Sequence, residues 1–146
     1  MDKTVVLPTT MKRVLKAFSG LHRTEKKAAE AACAAADEWL HSKVSLITVL
    51  ANKEGRTTVS GELTGSVVGS QRTESHRPWL FSKTRLRDRI KLISPRLRWS
   101  LEAKRILCEA FQSYLHLLAL RISSTQLLAR RKTIGIEHVN AAVNVK

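Results

Sequence analysis

The chain has 146 residues, of which 43% are hydrophobic, so it can bury a core without help from a metal or a disulfide. It carries 26 Lys and Arg against 12 Asp and Glu, a net charge of +14 that favours a polyanionic partner, with nucleic acid ahead of a membrane surface. The sequence shows no apolar run of about 18 residues, no signal peptide and no lipidation motif, and we expect a soluble intracellular protein. Sparse aromatic residues and prolines favour an all-helical fold over a sandwich.

The predicted elements begin with a short helix, a loop, a long helix, a second loop and a last short helix, over residues 9–18, 19–23, 25–52, 54–59 and 61–68. Thr24 is the expected N-cap of the long helix, and the Ala-rich first half of that helix would let a partner backbone approach closely. Residues 70–81 lack helical periodicity and are polar until Pro78. We interpret them as a linker whose apolar end anchors it by packing.

The same elements follow the linker, over residues 84–93, 94–99, 100–129, 130–135 and 136–143. The long helix is the clearest pattern in the chain, because apolar residues recur three and four apart from Ala103 to Ile122 with no Gly or Pro before Gly135. At 1.5 Å per residue, about 30 residues would run about 45 Å, longer than the core that a chain of this size wraps around one helix. Such a helix needs a partner that crosses it near its middle.

An internal repeat accounts for this order of elements. Sliding the chain on itself gives an ungapped register at an offset of 75 residues. Identical pairs in this register include Lys16 with Lys91, Ser19 with Ser94, Arg23 with Arg98, Cys33 with Cys108, Arg56 with Arg131 and Thr58 with Thr133. The sequence therefore predicts two copies of one unit, at residues 1–69 and 82–146, joined by a linker of residues 70–81.

The Cys and His residues give little sign of chemistry. Cys33 and Cys108 lie among Ala and Leu in helical patterns, so we expect buried thiols rather than a disulfide or a reactive site. His41 and His116 stand apart from other metal-ligand residues, and no metal or cofactor is expected. No catalytic or Gly-rich phosphate motif occurs at usable spacing, and we do not expect an enzyme.

The repeated unit resembles the histone fold in its short helix, its loop ending in Arg, its long central helix, its basic loop and its final short helix. The basic loop reads Arg-Thr-Thr-Val in one copy and Arg-Lys-Thr-Ile in the other, and the spacing from Ala28 to Arg56 equals that from Ala103 to Arg131. The overall likeness is to histone doublets, archaeal or from giant viruses, in which two histone folds are fused. The resemblance implies an all-α protein whose tandem histone folds form an intramolecular handshake pseudo-dimer, monomeric in solution.

In such a pair, the first loop of one copy lies beside the second loop of the other, which creates two basic corners. Arg suits insertion into a narrow minor groove, while a Thr hydroxyl and loop amides can hold phosphates. One implied corner joins Arg23 to Arg131 and Thr133, and the other joins Arg98 to Arg56 and Thr58. The implied DNA-binding residues are Lys12, Arg13, Lys16, Arg23, Arg56, Thr58, Arg87, Arg89, Lys91, Arg98, Arg131, Lys132 and Thr133.

Charge is unequal along the sequence. Residues 1–70 carry 10 basic and 7 acidic groups, net +3, whereas residues 71–146 carry 16 and 5, net +11. We therefore expect the second half to dominate DNA affinity.

The sequence departs from the family at positions that matter for assembly. Leu63 and His138 replace an acidic residue of the last helix, and Lys53 and Leu128 replace a His that joins archaeal-type pairs. Because an apolar end is buried more readily than a charged one, we expect the second copy's end to be the stronger association face. The implied assembly residues are Lys53, Leu63, Leu127, Leu128 and His138.

The resemblance implies a DNA-packaging protein that bends or wraps double-stranded DNA without sequence specificity in a nucleosome-like particle. Its implied partners are double-stranded DNA and other histones, with no membrane and no small-molecule substrate. Its implied location is chromatin in an archaeal nucleoid, a virion or viral factory, or a nucleus. The alternative is a histone-fold interaction subunit of a transcription or chromosome-associated complex, which need not keep Arg and Thr at both corners. Charge alone does not distinguish DNA from RNA, but RNP-like aromatic patterns are absent.

Overall fold

The computed structural model describes residues 4–19, 23–69, 79–128 and 133–143, without the side chains of residues 18, 19 and 126–128. Within these ranges the helices are α1 (Pro8–Ser19), α2 (Lys26–Lys53), α3 (Gly61–Val68), α4 (Lys83–Ile93), α5 (Leu101–Leu128) and α6 (Ile136–Val143). The strands, of two residues each, are β1 (Arg23–Thr24), β2 (Thr58–Val59), β3 (Arg98–Trp99) and β4 (Thr133–Ile134). The all-α prediction is confirmed, and the helix boundaries agree closely with those expected from the sequence.

Serine hydroxyls satisfy backbone donors at the start of three helices. The hydroxyl of Ser60 accepts from Leu63 N at 3.1 Å, that of Ser82 from Arg85 N at 3.3 Å and that of Ser100 from Ala103 N at 3.0 Å. Thr24, which we expected to cap α2, lies in β1 instead because its backbone pairs with Ile134. The residue before α2 is Glu25, whose N–H donates to the Ile134 carbonyl at 2.9 Å.

Contacts divide the chain into two compact units that do not coincide with the two copies of the repeat. Unit 1 consists of residues 1–37 with 114–146, and unit 2 of residues 38–113. Each unit therefore takes one part from each copy. If the two copies folded separately, the chain would divide at the boundary between them. The observed division therefore shows that the copies pair within the chain, as the resemblance implies.

Each unit has its own apolar core. In unit 1, Met11 and Leu15 of α1 are buried, as are alanines of α2, among them Ala28 and Ala32. Small side chains permit close packing there, as expected from the Ala-rich sequence. In unit 2, an aromatic cluster surrounds the fully buried Phe111: the ring of Phe81 meets it edge to face at a centroid distance of 4.9 Å, and that of Trp39 lies at 6.0 Å.

A short segment ahead of each first helix is fixed to the following long helix by the same hydrogen bond in both copies. The N–H of Val5 donates to the Asp37 carboxylate at 3.0 Å, and the N–H of Leu80 donates to the Gln112 side-chain oxygen at 3.1 Å. The two bonds are related by the offset of 75 residues. We call residues 4–7 and 79–81 the anchor segments.

The second anchor segment extends the second copy upstream of its predicted start at residue 82. Val6 in one segment and Phe81 in the other are buried at equivalent positions. Residues 79–81 were assigned to the linker from the sequence, and their packing role is confirmed, but their equivalence to residues 4–6 makes them part of the second copy. The sequence did not reveal this because carboxylate and amide are different residue types that accept the same backbone hydrogen bond.

Candidate nucleic-acid interface

The first corner lies within unit 1, where β1 and β4 form a parallel pair. Arg23 is opposite Thr133, and the next residue of β1 is opposite Ile134. Ile134 is fully buried, whereas Arg23 is exposed and Thr133 half-buried. The strand pair is thus fixed to the core on one side and presents polar side chains on the other.

The second corner lies within unit 2 and repeats this arrangement. In the parallel pair of β2 with β3, Thr58 is opposite Arg98 and Val59 is opposite Trp99. Backbone hydrogen bonds join the two segments, from Arg98 N to Thr57 O at 3.0 Å and from Ser100 N to Val59 O at 3.1 Å. Val59 and Trp99 are buried, while Thr58 and Arg98 are exposed. The predicted apposition of first and second loops is confirmed at both corners.

Arg56 is held by an acid that sequence reasoning missed. Its Nε lies 2.7 Å from Glu54 Oε2, and its terminal nitrogen donates to Ser60 Oγ at 3.4 Å. Gly55 between them has φ +67°, a left-handed conformation that glycine adopts without strain and that turns the two charged side chains toward each other. In the sequence, the triplet Glu54-Gly55-Arg56 could have indicated this ion pair.

The remaining predicted DNA-binding residues lie mostly on the first helices of the copies. Lys12 and Lys16 of α1, like Arg87 and Lys91 of α4, are exposed and four residues apart, which places each pair on one helix face. Arg13 is also exposed, whereas Arg89 is half-buried. Arg131 and Lys132 lie outside the described residues.

The fold redistributes the charge of the sequence. Unit 1 contains 12 basic and 5 acidic residues, and unit 2 contains 14 and 7, so each has a net charge of +7. Because each corner lies in one unit, the excess of positive charge in residues 71–146 is shared between the corners. The difference in net charge between the two sequence halves, from which we expected the second half to dominate DNA affinity, therefore does not exist between the two units.

Two of the predicted assembly residues are not available on the surface of the chain. Leu63 is 8% exposed and His138 is 2% exposed, which corrects the expectation that the ends present them. His138 has a local role instead, since its Nδ1 accepts a hydrogen bond from Gly135 N at 2.9 Å at the start of α6. Lys53 is exposed at the end of α2. Leu127 and Leu128 end α5, and their side chains lie outside the described ones.

Exposed apolar side chains occur on both long helices at different positions of the repeat. Apart from Leu101 at the start of α5, those described are Leu46 and Val49 on α2 and Leu117 and Leu120 on α5. Each pair is separated by three residues and lies along one helix face. The two long helices therefore offer different apolar surfaces to a partner.

The cysteines are buried and free, as expected. Burial raises the pKa of Cys33 to about 12, with a smaller opposing effect from a hydrogen bond with Thr4, and burial also raises the pKa of Cys108. Within the described ranges, no group of His, Cys, Asp and Glu is placed to hold a metal ion. None of the described helices is both long and apolar enough to cross a membrane.

Comparison with known proteins identifies the fold from structure alone. No protein-family model matches the sequence, and no curated protein matches it. The structure is similar to that of the histone from Methanopyrus kandleri, with a TM-score of 0.75 and 16% sequence identity, over 94% of this chain and 92% of that chain. The match includes both copies of the repeat, and it shows that the chain has the histone fold.

Proposed function

We propose that this protein is a histone doublet that packages double-stranded DNA by bending or wrapping it without sequence specificity. The observation that carries the proposal is the pair of parallel strand bridges, which place Arg23 opposite Thr133 and Arg98 opposite Thr58. The same polar pair thus occurs at two corners built from different parts of the chain. A net charge of +7 in each unit supports a polyanionic partner at both.

The proposed contacts are to the DNA backbone and the minor groove. Arg23 and Arg98 enter the narrow groove, while the threonines and loop amides bind phosphates on either side. Exposed basic residues of α1 and α4 add phosphate contacts. Contacts of this kind depend on groove width and phosphate charge rather than on base edges, so binding does not depend on one base sequence. We place the protein in chromatin, together with other histones.

The alternative is an interaction subunit of a larger complex. The exposed apolar pairs on α2 and α5 favour a protein partner, but they are compatible with histone assembly as well. An interaction subunit has no need of an exposed arginine at both corners, and the two roles therefore differ in what the arginines do.

The test is DNA binding followed by nuclease digestion. We expect the protein to bind unrelated duplexes with similar affinity, to lose affinity steeply as salt rises, and to protect a defined DNA length on long DNA. The double variant Arg23→Ala, Arg98→Ala should lose binding, whereas Lys27→Ala, which removes one exposed charge that is not among the proposed DNA contacts, should bind nearly as well. Affinity that hardly changes with salt, or one sequence preferred by orders of magnitude, would contradict the proposal.

Assembly beyond one chain is proposed at the ends of the long helices. The isolated protein should be a monomer by light scattering, because fusion makes the pairing intramolecular. Leu128→Glu should shorten the protected DNA length and leave binding of a single chain intact, because a charge opposes burial of an apolar end. If Lys53→Glu shortened it and Leu128→Glu did not, the roles of the two ends would be reversed.

A further inference from the structure

A cavity of about 360 Å³ adjoins the second corner within unit 2. It lies between α4, the loop after α4, β3 and the first turn of α5. Its volume is at the lower end of the range for small-molecule sites. The cavity is lined by four cationic side chains, from Arg87, Lys91, Arg98 and Lys104.

Within the described residues, none of the four cations forms an ion pair with a carboxylate. Among the described residues that line the cavity, none is acidic. In the described part of the chain, Arg105 and Arg56 form ion pairs with glutamates, but none of the four lining cations does. Four like charges around one recess repel each other, and an anion inside it would relieve that repulsion.

The lining also has an apolar side. Ile90 and Trp99 are almost fully buried and border the recess. The indole N–H of Trp99 donates to Ser94 Oγ at 3.4 Å, so the ring contributes apolar surface rather than a free donor. A ligand with an anionic group and an aromatic or apolar portion would match both sides.

The equivalent positions of the first copy lack two of these features. In the register of 75 residues, Lys104 corresponds to Ala29, and Trp99 corresponds to Thr24. Ala29 is fully buried, whereas Lys104 is partly exposed. The fourth cation and the indole are thus particular to the second copy, and symmetric DNA binding at two corners does not account for them.

We propose that this cavity binds a compact polyphosphate, either the chain of a nucleoside triphosphate or inorganic polyphosphate. A phosphodiester of DNA brings one negative charge, whereas a terminal phosphate monoester carries about −1.5 to −2 charges near neutral pH. Several phosphates linked directly to each other bring enough charge into one recess to match four cations. Because Arg87, Lys91 and Arg98 are also proposed DNA contacts of the second copy, bound polyphosphate competes with DNA there and not at the first corner.

The experiment is calorimetric titration of the full-length protein at about 0.15 M salt, where weak surface charge pairing is screened, with inorganic tripolyphosphate and with adenosine triphosphate as separate probes. We expect one ligand per chain. Lys104→Ala should weaken binding about tenfold, which is about 1.4 kcal/mol, because it removes one charge-assisted contact to phosphate. Lys104→Arg, which keeps the charge, should retain binding, as should the control Lys27→Ala.

The two probes distinguish the sources of the phosphate. Tighter binding of adenosine triphosphate supports a nucleotide whose base contacts the Trp99 side of the cavity, and equal binding supports inorganic polyphosphate. Several ligands per chain, or equal losses in Lys104→Ala and Lys27→Ala, would overturn the proposal, because both indicate diffuse attraction to net charge.

DNA affinity measured on the same samples separates this inference from the proposed function. Lys104 is not among the proposed DNA contacts, so Lys104→Ala should change DNA affinity by less than about twofold. Unchanged DNA binding together with no polyphosphate site would reject the inference and leave the packaging role standing. Circular dichroism of each variant establishes that a loss is not caused by unfolding.

Discussion

Arg56 at the second corner is restrained by a carboxylate. The ion pair with Glu54, at 2.7 Å, competes with DNA phosphates for the guanidinium. Exposed ion pairs of this kind are worth about 0.2–1 kcal/mol, so Glu54→Gln should raise DNA affinity by up to about fivefold. Gel-shift titration measures the change. Glu62→Gln, which removes an exposed acid of the same unit, is the control, and an equal gain there would assign the effect to net charge.

The buried thiol of Cys33 makes the free energy of unfolding depend on pH in the alkaline range. Burial raises its pKa from 9.0 to about 12, so the folded chain keeps the thiol proton more tightly than the unfolded chain does. The stabilisation is fully present below pH 9 and is lost as pH rises toward 12. Urea unfolding of the wild type and of Cys33→Ala should give a difference in free energy that is constant below pH 9 and shrinks above it. A difference that stayed constant up to pH 11 would contradict the assignment.

At the scale of the element, a part-buried hydrogen bond to the following long helix fixes each anchor segment. Removing the acceptor leaves a backbone N–H unpaired, which costs about 1–3 kcal/mol. Asp37→Ala and Gln112→Ala should each lower the free energy of unfolding by this amount, and Asp37→Asn, which keeps an acceptor oxygen, should lose less. Chemical denaturation provides the measurement. The neighbouring exposed residue supplies the control Glu38→Ala, and an equal loss there would show that the hydrogen bond contributes nothing.

At the scale of the whole molecule, the two corners should contribute similarly to DNA binding. Each lies in a unit of net charge +7, although the sequence halves differ by eight charges. Arg23→Ala and Arg98→Ala should therefore weaken DNA binding to within about threefold of each other, and each should lower the salt slope by about one. Salt titrations of both variants test this. A tenfold larger loss for Arg98→Ala would show that the second copy's own charge dominates.

The sequence by itself determined the helices, their order and the repeat. Apolar periodicity is a local property, because each turn of an amphipathic helix has to bury the same face, and it can be read without knowing what covers that face. The offset of 75 residues carried this pattern from one copy to the other and brought Arg23 and Arg98 to equivalent positions. The resemblance to histones then supplied the loop pairing that the structure contains.

Only the tertiary structure decided which residues share a unit and which remain on the surface. The copies exchange parts, so charge that is unequal along the chain is equal between units. Leu63 and His138 are buried because their helices pack on the core, and no local pattern distinguishes that from exposure at an end. Each anchor hydrogen bond joins residues that are 32 positions apart in the sequence. Such contacts depend on how the backbone brings segments together, and the sequence around each residue does not contain that information.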